Sequence, residues 1–308
     1  MPKHLKLRSL TGCAPLYHPK QAPTTTLLES LLEVNHHHFF LQAQQLSHNE
    51  RDLEYVKEYP LHNDEVQQLR VLLYGPVGSG KSTFINSVES LLKGKITDRA
   101  PKDATTGESY TTKYRTYKIR KGEPGAFYPF AFTDIMGLEV GTNRGVAVED
   151  IKLAMKGHIN DGYTFNPCYK IPEDNQHYNK TPTLKDQAHV LVCVISASTV
   201  SIMSDETVRK MREVRLAARD MGIPQLAILT KIDVACPEVK KDIRNVYKST
   251  YLKQQTDELS ARLGFSPNSI FPVQNYHSEN RTNDDINTLL LSALTQIITE
   301  GEEFVNNP

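Results

Sequence analysis

The stretch VLLYGPVGSGKSTFINSV, residues Val71 to Val88, constrains the fold more than any other part of the chain. An apolar run enters a glycine-rich turn and leaves as an amphipathic segment, so a strand, a tight loop and a helix must follow one another directly. Gly75 to Ser82 fits the pattern G-x-x-x-x-G-K-[ST] in the strand-then-helix context that gives it meaning. Gly78 and Gly80 permit backbone angles that aim successive N–H groups at one point, and the helix adds its positive end there. Lys81 brings a mobile charge to β- and γ-phosphates, and Ser82 offers Mg2+ a hard oxygen. The expected phosphate cradle is therefore Gly78, Ser79, Gly80, Lys81, Ser82 and Thr83. Lys81 is also the expected catalytic charge on the transferred phosphoryl group.

From Leu69 onward strands alternate with helices. RVLLY is the first strand, and HVLVCVIS and QLAILT are continuous apolar runs, the pattern of strands covered on both faces of a parallel sheet. SYTTKYRTYKIR alternates and reads as an exposed strand with FYPFAFTD as its partner, and SIFPV reads as a last short strand. Helices are expected from the phosphate loop to Gly94, from a Ser204 cap to Gly222, after Pro237 to near Gly264, and onward from an Asn283 cap. This is an α/β chain with a doubly wound, mostly parallel sheet and helices on both faces.

Residues 1–65 are expected to form an N-terminal tail and short helix, 66–300 the nucleotide-binding domain, and 301–308 a tail. The polar, proline-containing insertion near 160–186 reads as a surface loop or lid. TLLESLLEVNHHHFFLQAQQL carries a capping box, Thr26 with Glu29, and an apolar face of Leu28, Leu31, Leu32 and Phe39. On such a helix His36 to His38 point in different directions and do not converge on a metal ion.

A second phosphate-site element is an acid on a neighbouring strand. In FTDIMGLE, Asp134 follows an apolar strand and stands three residues before Gly137. Asp134 is expected to hold Mg2+ through water, and the Gly137 N–H to approach the γ-phosphate. KDATTGES lies where a loop closing over the metal belongs. Thr105 and Thr106 both qualify, and spacing does not separate them; Thr106 stands for the pair as metal ligand and catalytic contact, a plain polar turn being the alternative.

The base is read from AILTKIDVA. Thr230-Lys231-Ile232-Asp233 stands at the carboxyl end of a buried strand, where open α/β sheets bind ligands. Guanine presents N1–H and N2–H2 donors side by side, and the Asp233 carboxylate can accept both. Adenine has no such pair. The Lys231 stem can cover the face of the base. These features specify a P-loop NTPase G domain that prefers GTP and GDP, with Mg2+, over ATP. Threonine replaces the commoner asparagine of the [NT]KxD pattern, which removes an amide that braces the phosphate loop. A backbone N–H around Asn275, in FPVQNYHSE, is the expected final base contact.

Composition narrows the remaining classes. Lys+Arg and Asp+Glu both count 36, so a broad nucleic-acid footprint is not expected. Cys13, Cys168, Cys193 and Cys236 form no C-x-x-C pair, which favours free thiols in a reducing compartment. No run is long and apolar enough to cross a bilayer, and the N-terminus lacks a secretory apolar core. A cytoplasmic location is the resulting expectation.

Taken together, LRVLLYGPVGSGKSTFINSV, TTKYRTY, DIMGLE, KGHINDGYTFNP, LTKIDVACPEV and PVQNYHSE resemble the interferon-induced protein 44 family, including its 44-like members. The likeness covers roughly residues 65 to 300. It implies a cytoplasmic, interferon-inducible protein with a guanine-nucleotide-binding domain, linked to antiviral and antiproliferative responses through host or viral protein partners.

Turnover is the open question at this level. After D-x-x-G stands Leu138, where small G proteins carry a glutamine that orients the attacking water. Val77 is bulkier than the glycine favoured at its position. Both features predict slow hydrolysis by the isolated chain, with a homodimer across the nucleotide as one remedy. Arg144, in VGTNRGVA, is a candidate arginine finger in cis or trans, the alternative being a solvated loop residue. Two readings follow: a weak or self-association-dependent GTPase, or a nucleotide-bound interaction protein that does not hydrolyse.

Overall fold

The computed structural model describes residues 49–100, 111–141 and 143–307, all within one compact unit bounded by His38 and Pro308. The expected capping box, the histidine triplet and both switch threonines, Thr105 and Thr106, lie outside the described residues.

The sheet is built at its centre from strands covered on both faces. It comprises β1 (Leu69–Tyr74), β2 (Arg115–Arg120), β3 (Phe127–Asp134), β4 (Val190–Ser196), β5 (Gln225–Thr230) and β6 (Ile270–Pro272), in the order β2-β3-β1-β4-β5-β6. β1 runs parallel to both β3 and β4, and β4, β5 and β6 continue in parallel. β2 pairs antiparallel with β3 at the edge. Every residue of β4 is buried, as its unbroken apolar run requires, whereas β2 alternates between exposed and buried positions. The fold is the expected doubly wound α/β P-loop G-domain architecture.

Helices α1 (Asn49–Glu58), α2 (Lys81–Lys93), α3 (Val148–Met155), α4 (Asp205–Asp220), α5 (Ile232–Ala235), α6 (Pro237–Lys241), α7 (Thr250–Leu263) and α8 (Asp284–Asn306) complete the chain order. One core layer joins Val71 and Leu73 of β1 to Phe84 and Val88 of α2 and Leu290 and Leu294 of α8. The opposite layer joins Leu72 and Tyr74 of β1 to Met155 of α3, Met211 of α4 and Leu259 of α7. Successive β1 residues thus feed opposite layers, which is the period of two that a sheet imposes. The Ser204 hydroxyl caps α4 by accepting the Thr207 N–H, and Asn283 caps α8 by accepting the Ile286 N–H, as their sequences anticipate.

Some boundaries differ from the sequence reading. The first exposed strand, expected from Ser109, is β2 from Arg115, with Thr111 to Tyr114 outside it and Ser109 and Tyr110 outside the described residues. The region after Pro237 breaks into α6, a 3-10 segment (Ile243–Lys248) and α7. The tail expected from 301 is instead the end of α8, where Gly301 and Val305 are buried. Within the N-terminal extension, α1 had no separate sequence signal; it packs Val56 into the α2–α8 layer.

The insertion is an ordered cap with little regular structure. Tyr163, Phe165 and Ile171 bury their side chains in the layer beneath it. Backbone bridges join Lys113 to Thr164 and Ile159 to Tyr178. The Asp150 carboxylate, fully buried on α3, accepts the Ile171 N–H at 2.8 Å and pins the cap to the domain. Burial raises the Asp150 pKa to about 6, partly offset by that N–H. A carboxyl whose pKa rises on folding favours the folded state most when protonated, so this contribution fades as pH rises from about 4 through 6. Asp150→Asn keeps the acceptor and removes the charge. It is expected to raise the thermal midpoint at pH 7 and to lose that advantage at pH 4; parallel unfolding scans at the two pH values check this.

Candidate functional site

The phosphate loop leaves the carboxyl end of β1 and enters α2 at Lys81. Gly80 caps the helix at φ 95°, and Gly78 lies at φ 70°. The left-handed conformation of Gly80 favours glycine, and a Cβ there would also press on the Asn275 amide nitrogen at 3.1 Å. A Cβ on Gly78 would meet nothing within 4 Å; the loop is open at that point.

Lys81 and Ser82 are both buried. The Lys81 ammonium donates to the loop's own carbonyls, Pro76 at 3.1 Å and Gly75 at 3.4 Å. The Ser82 hydroxyl donates to Oδ2 of Asp134, a fully buried residue at the end of β3. Thr111 donates to the same oxygen at 3.3 Å. Ser82, Thr111 and Asp134 thus gather hard oxygens beside the loop, a donor set that suits Mg2+. Thr111 escaped the sequence reading because one threonine in a Tyr/Thr-rich strand carries no spacing signal. The Ser79 hydroxyl is buried with no hydrogen-bond partner among the described residues, leaving a donor for a ligand oxygen. Among those residues no three His, Cys, Asp or Glu side chains could hold a metal alone. A cation at this point would complete its shell with phosphate oxygens. The residues fit a magnesium–phosphate group.

The D-x-x-G segment is stitched directly to the loop. Leu138 N–H donates to Gly75 at 3.0 Å, and Val77 N–H donates to Leu138 at 3.2 Å. A Cβ on Gly137 would stand 2.6 Å from Val77 Cγ2 and 2.8 Å from the Val77 backbone nitrogen, so glycine alone allows this approach. The Leu138 side chain is buried in the core with Leu72, Ile135 and Ile151. Beyond it, Lys210 donates to the Glu139 carbonyl at 2.8 Å, and Gly141 N–H donates to Glu206 at 3.1 Å, tying the following loop to α4. Arg144 is exposed and forms no hydrogen bond or ion pair with the site groups among the described residues.

At the other end of the site, Thr230 is fully buried. Its hydroxyl reaches Ser79 O at 2.6 Å and Ile195 O at 3.2 Å, so β5 is bonded to the phosphate loop. Lys231 adopts φ 55°, an uncommon conformation for a residue with a Cβ, and it turns the chain into α5 with Lys231 exposed and Asp233 half-buried. The Asn275 side-chain amide donates to Gly80 O at 3.2 Å. The neighbouring Tyr276 N–H donates to Ser87 of α2 at 2.9 Å and fixes the loop after β6. Sequence reasoning assigned a backbone N–H around Asn275 to the base; the structure gives the Asn275 side chain a further role, bracing the phosphate loop. Thr230 and Asn275 together supply the bracing that the threonine-for-asparagine replacement had seemed to remove.

Asn275→Ala leaves the Gly80 carbonyl without this donor. Nucleotide affinity is expected to fall about tenfold, about 1.4 kcal/mol, with part of the loss recovered by adding Thr230→Asn, which returns an amide from the β5 side. Titration calorimetry on the single and double variants checks both steps.

No protein-family model matches the chain. Curated relatives include interferon-induced protein 44 of Homo sapiens, 34% identical over 253 residues, covering 82% of this chain and 56% of the relative. The Mus musculus protein of that name is 34% identical over 255 residues, covering 83% and 60%. Interferon-induced protein 44-like of Homo sapiens is 32% identical over 263 residues, covering 84% and 57%. The chain therefore spans a little over half the length of these relatives. Similar solved structures include Toc33 from Arabidopsis thaliana in complex with GDP and Mg2+, at TM-score 0.45 and 15% identity over 84% of this chain and 96% of that one. A probable GTP-binding protein engB matches at TM-score 0.40 and 12% identity over 76% and 98%. Over the matched span, the chain belongs to the family of interferon-induced protein 44 and its 44-like relatives.

Proposed function

We propose that this chain binds GTP and GDP with Mg2+ and hydrolyses GTP slowly, or only on self-association. The observation that carries the reading is the Thr230 hydroxyl bonded to Ser79 O, which locks the base-reading loop to the phosphate loop. Backbone N–H groups of the loop and Lys81 would hold the phosphates, and Asp233 would accept the paired donors of guanine. Ser82 would ligate Mg2+ directly and Asp134 through water; bound there, the ion would neutralise charge on the phosphates. The relatives' names point to a role in the interferon response, and an antiviral function in the cytoplasm is the proposed setting. Among the described residues no helix is long and apolar enough to cross a membrane.

Titration calorimetry of the nucleotide-stripped chain with Mg2+ tests binding. GDP and GTP are expected to bind, ATP about a hundredfold more weakly or worse, and Lys81→Ala to lose binding. Asp233→Asn is expected to move preference toward xanthosine nucleotides, whose C2 carbonyl accepts where guanine donates. Absence of heat with both guanosine nucleotides overturns the proposal.

A second reading, a nucleotide-bound interaction protein without turnover, is favoured by Leu138, which is buried in the core where a water-orienting side chain would be needed. Phosphate release over a range of protein concentrations separates the two. A specific rate that rises with concentration and vanishes in Lys81→Ala is expected for the GTPase; no release above buffer leaves the second reading.

A further inference from the structure

A cleft of about 860 Å3 runs beside edge strand β2 and the start of β1. Its lining carries Arg70, Arg99, Arg115, Lys118 and Arg120. Gln68 and Arg70 place it at the amino end of β1, whereas the phosphate loop leaves the carboxyl end. It is distinct from the phosphate loop at Arg70 and Arg120, and its other end, at Arg115, lies beside Asp134, the cross-strand partner of Arg115.

Two of the cations are held in position, Arg70 by a neutral partner and Arg99 by an ion pair and a carbonyl. Arg70 Nε donates to the Lys185 carbonyl at 2.7 Å, a neutral partner. Arg99 is held by Glu89 at 3.1 Å and by the Lys118 carbonyl at 2.7 Å, and lies over the Tyr117 ring at 5.9 Å. Among the described residues Arg99 is the one member of the five in an ion pair. Two carboxylates also line the cleft, so cations outnumber anions in the lining by five to two. Asp161 accepts the Thr116 N–H, and Asp186 accepts the Thr183 N–H at 2.9 Å and hydroxyl at 3.0 Å. Arg70 of β1 and Arg115, Lys118 and Arg120 of β2, which form no ion pair among the described residues, lie along one cleft and repel one another within a Debye length, a cost that an anion with several charges would reduce.

The guanidinium groups have the planar forks that match phosphate oxygens, and two of them are already oriented. Tyr117 and the 42%-exposed Phe127 add an apolar margin. The volume lies within the roughly 300–1,000 Å3 of small-molecule sites and is too small for a folded domain. We propose that this cleft is a second anion site, which takes a compact ligand bearing clustered phosphate monoesters. Such chemistry is carried both by soluble inositol polyphosphates and by phosphoinositide headgroups.

The test uses the full chain with inositol hexakisphosphate as soluble probe, read by titration calorimetry at physiological salt. Saturable binding is expected, weakened about tenfold or more in Lys118→Gln/Arg120→Gln, where both altered residues are exposed. The thermal midpoint of that variant is expected not to fall and its guanine-nucleotide affinity to stay unchanged, and Lys81→Ala is expected to bind the probe normally. Sedimentation with phosphatidylcholine vesicles, with and without phosphatidylinositol 4,5-bisphosphate, then assigns the source. Co-sedimentation with the phosphoinositide vesicles alone supports a headgroup, and soluble binding alone supports a free ligand. No binding of the probe overturns the proposal. So does equal affinity in both Lys118→Gln/Arg120→Gln and Arg70→Gln, or loss of the probe in Lys81→Ala, which would put it in the phosphate loop. Because these readouts do not require nucleotide binding, their failure is distinct from failure of the guanine-nucleotide reading.

Discussion

The bonds that Thr230 and Asn275 make to the phosphate loop hold the candidate site together. A glycine-rich loop gives its N–H groups freedom to face an anion, and the same freedom would let it collapse or swing. Two donors from two other elements restrict it: the Thr230 hydroxyl on Ser79 O and the Asn275 amide on Gly80 O. The first bond is buried at the end of β5, and the second comes from the loop after β6, itself tied to α2 through Tyr276. Losing Thr230 would take the hydroxyl donor from Ser79 O, and losing Asn275 would leave Gly80 O with the Phe84 N–H alone, which is why the brace has structural force. It also fixes the distance between the groups that would meet the phosphates and those that would meet the base.

The contact between the loop and the D-x-x-G segment has the opposite character. Reciprocal backbone bonds between Leu138 and the loop, with Gly137 packed on Val77, join two segments that a nucleotide would have to engage together. Leu138 has gone into the core. The side chain that small G proteins use to orient water is thus replaced by one whose burial stabilises this arrangement. Under the proposed function, a device from outside the loop must supply what Leu138 cannot.

Much of the fold could be read before any coordinates because its signals are local. The unbroken apolar run of β4, the Ser204 and Asn283 caps and the glycine end of α2 each report on neighbours within a few residues. The misread places have a shared physical cause. Whether residues 301–306 fray or continue as helix depends on Gly301 and Val305 finding a surface to pack on, and that surface comes from distant elements. The break after α6 and the late start of β2 are likewise settled by packing. Thr111 joins the Ser82–Asp134 pair only because the chain approaching β2 passes beside β3.

By itself, the sequence determined the P-loop motif, the alternation of strands and helices and the residues proposed for phosphate, metal and base, since each is a short-range pattern of residue type. Tertiary structure alone decided how the loop is braced, where the Leu138 side chain goes, that Asp150 pins the insertion as a cap, and that cations from β1, β2 and the segment after α2 share one cleft. Those outcomes join residues far apart in the chain, and only the folded packing sets the distances between them.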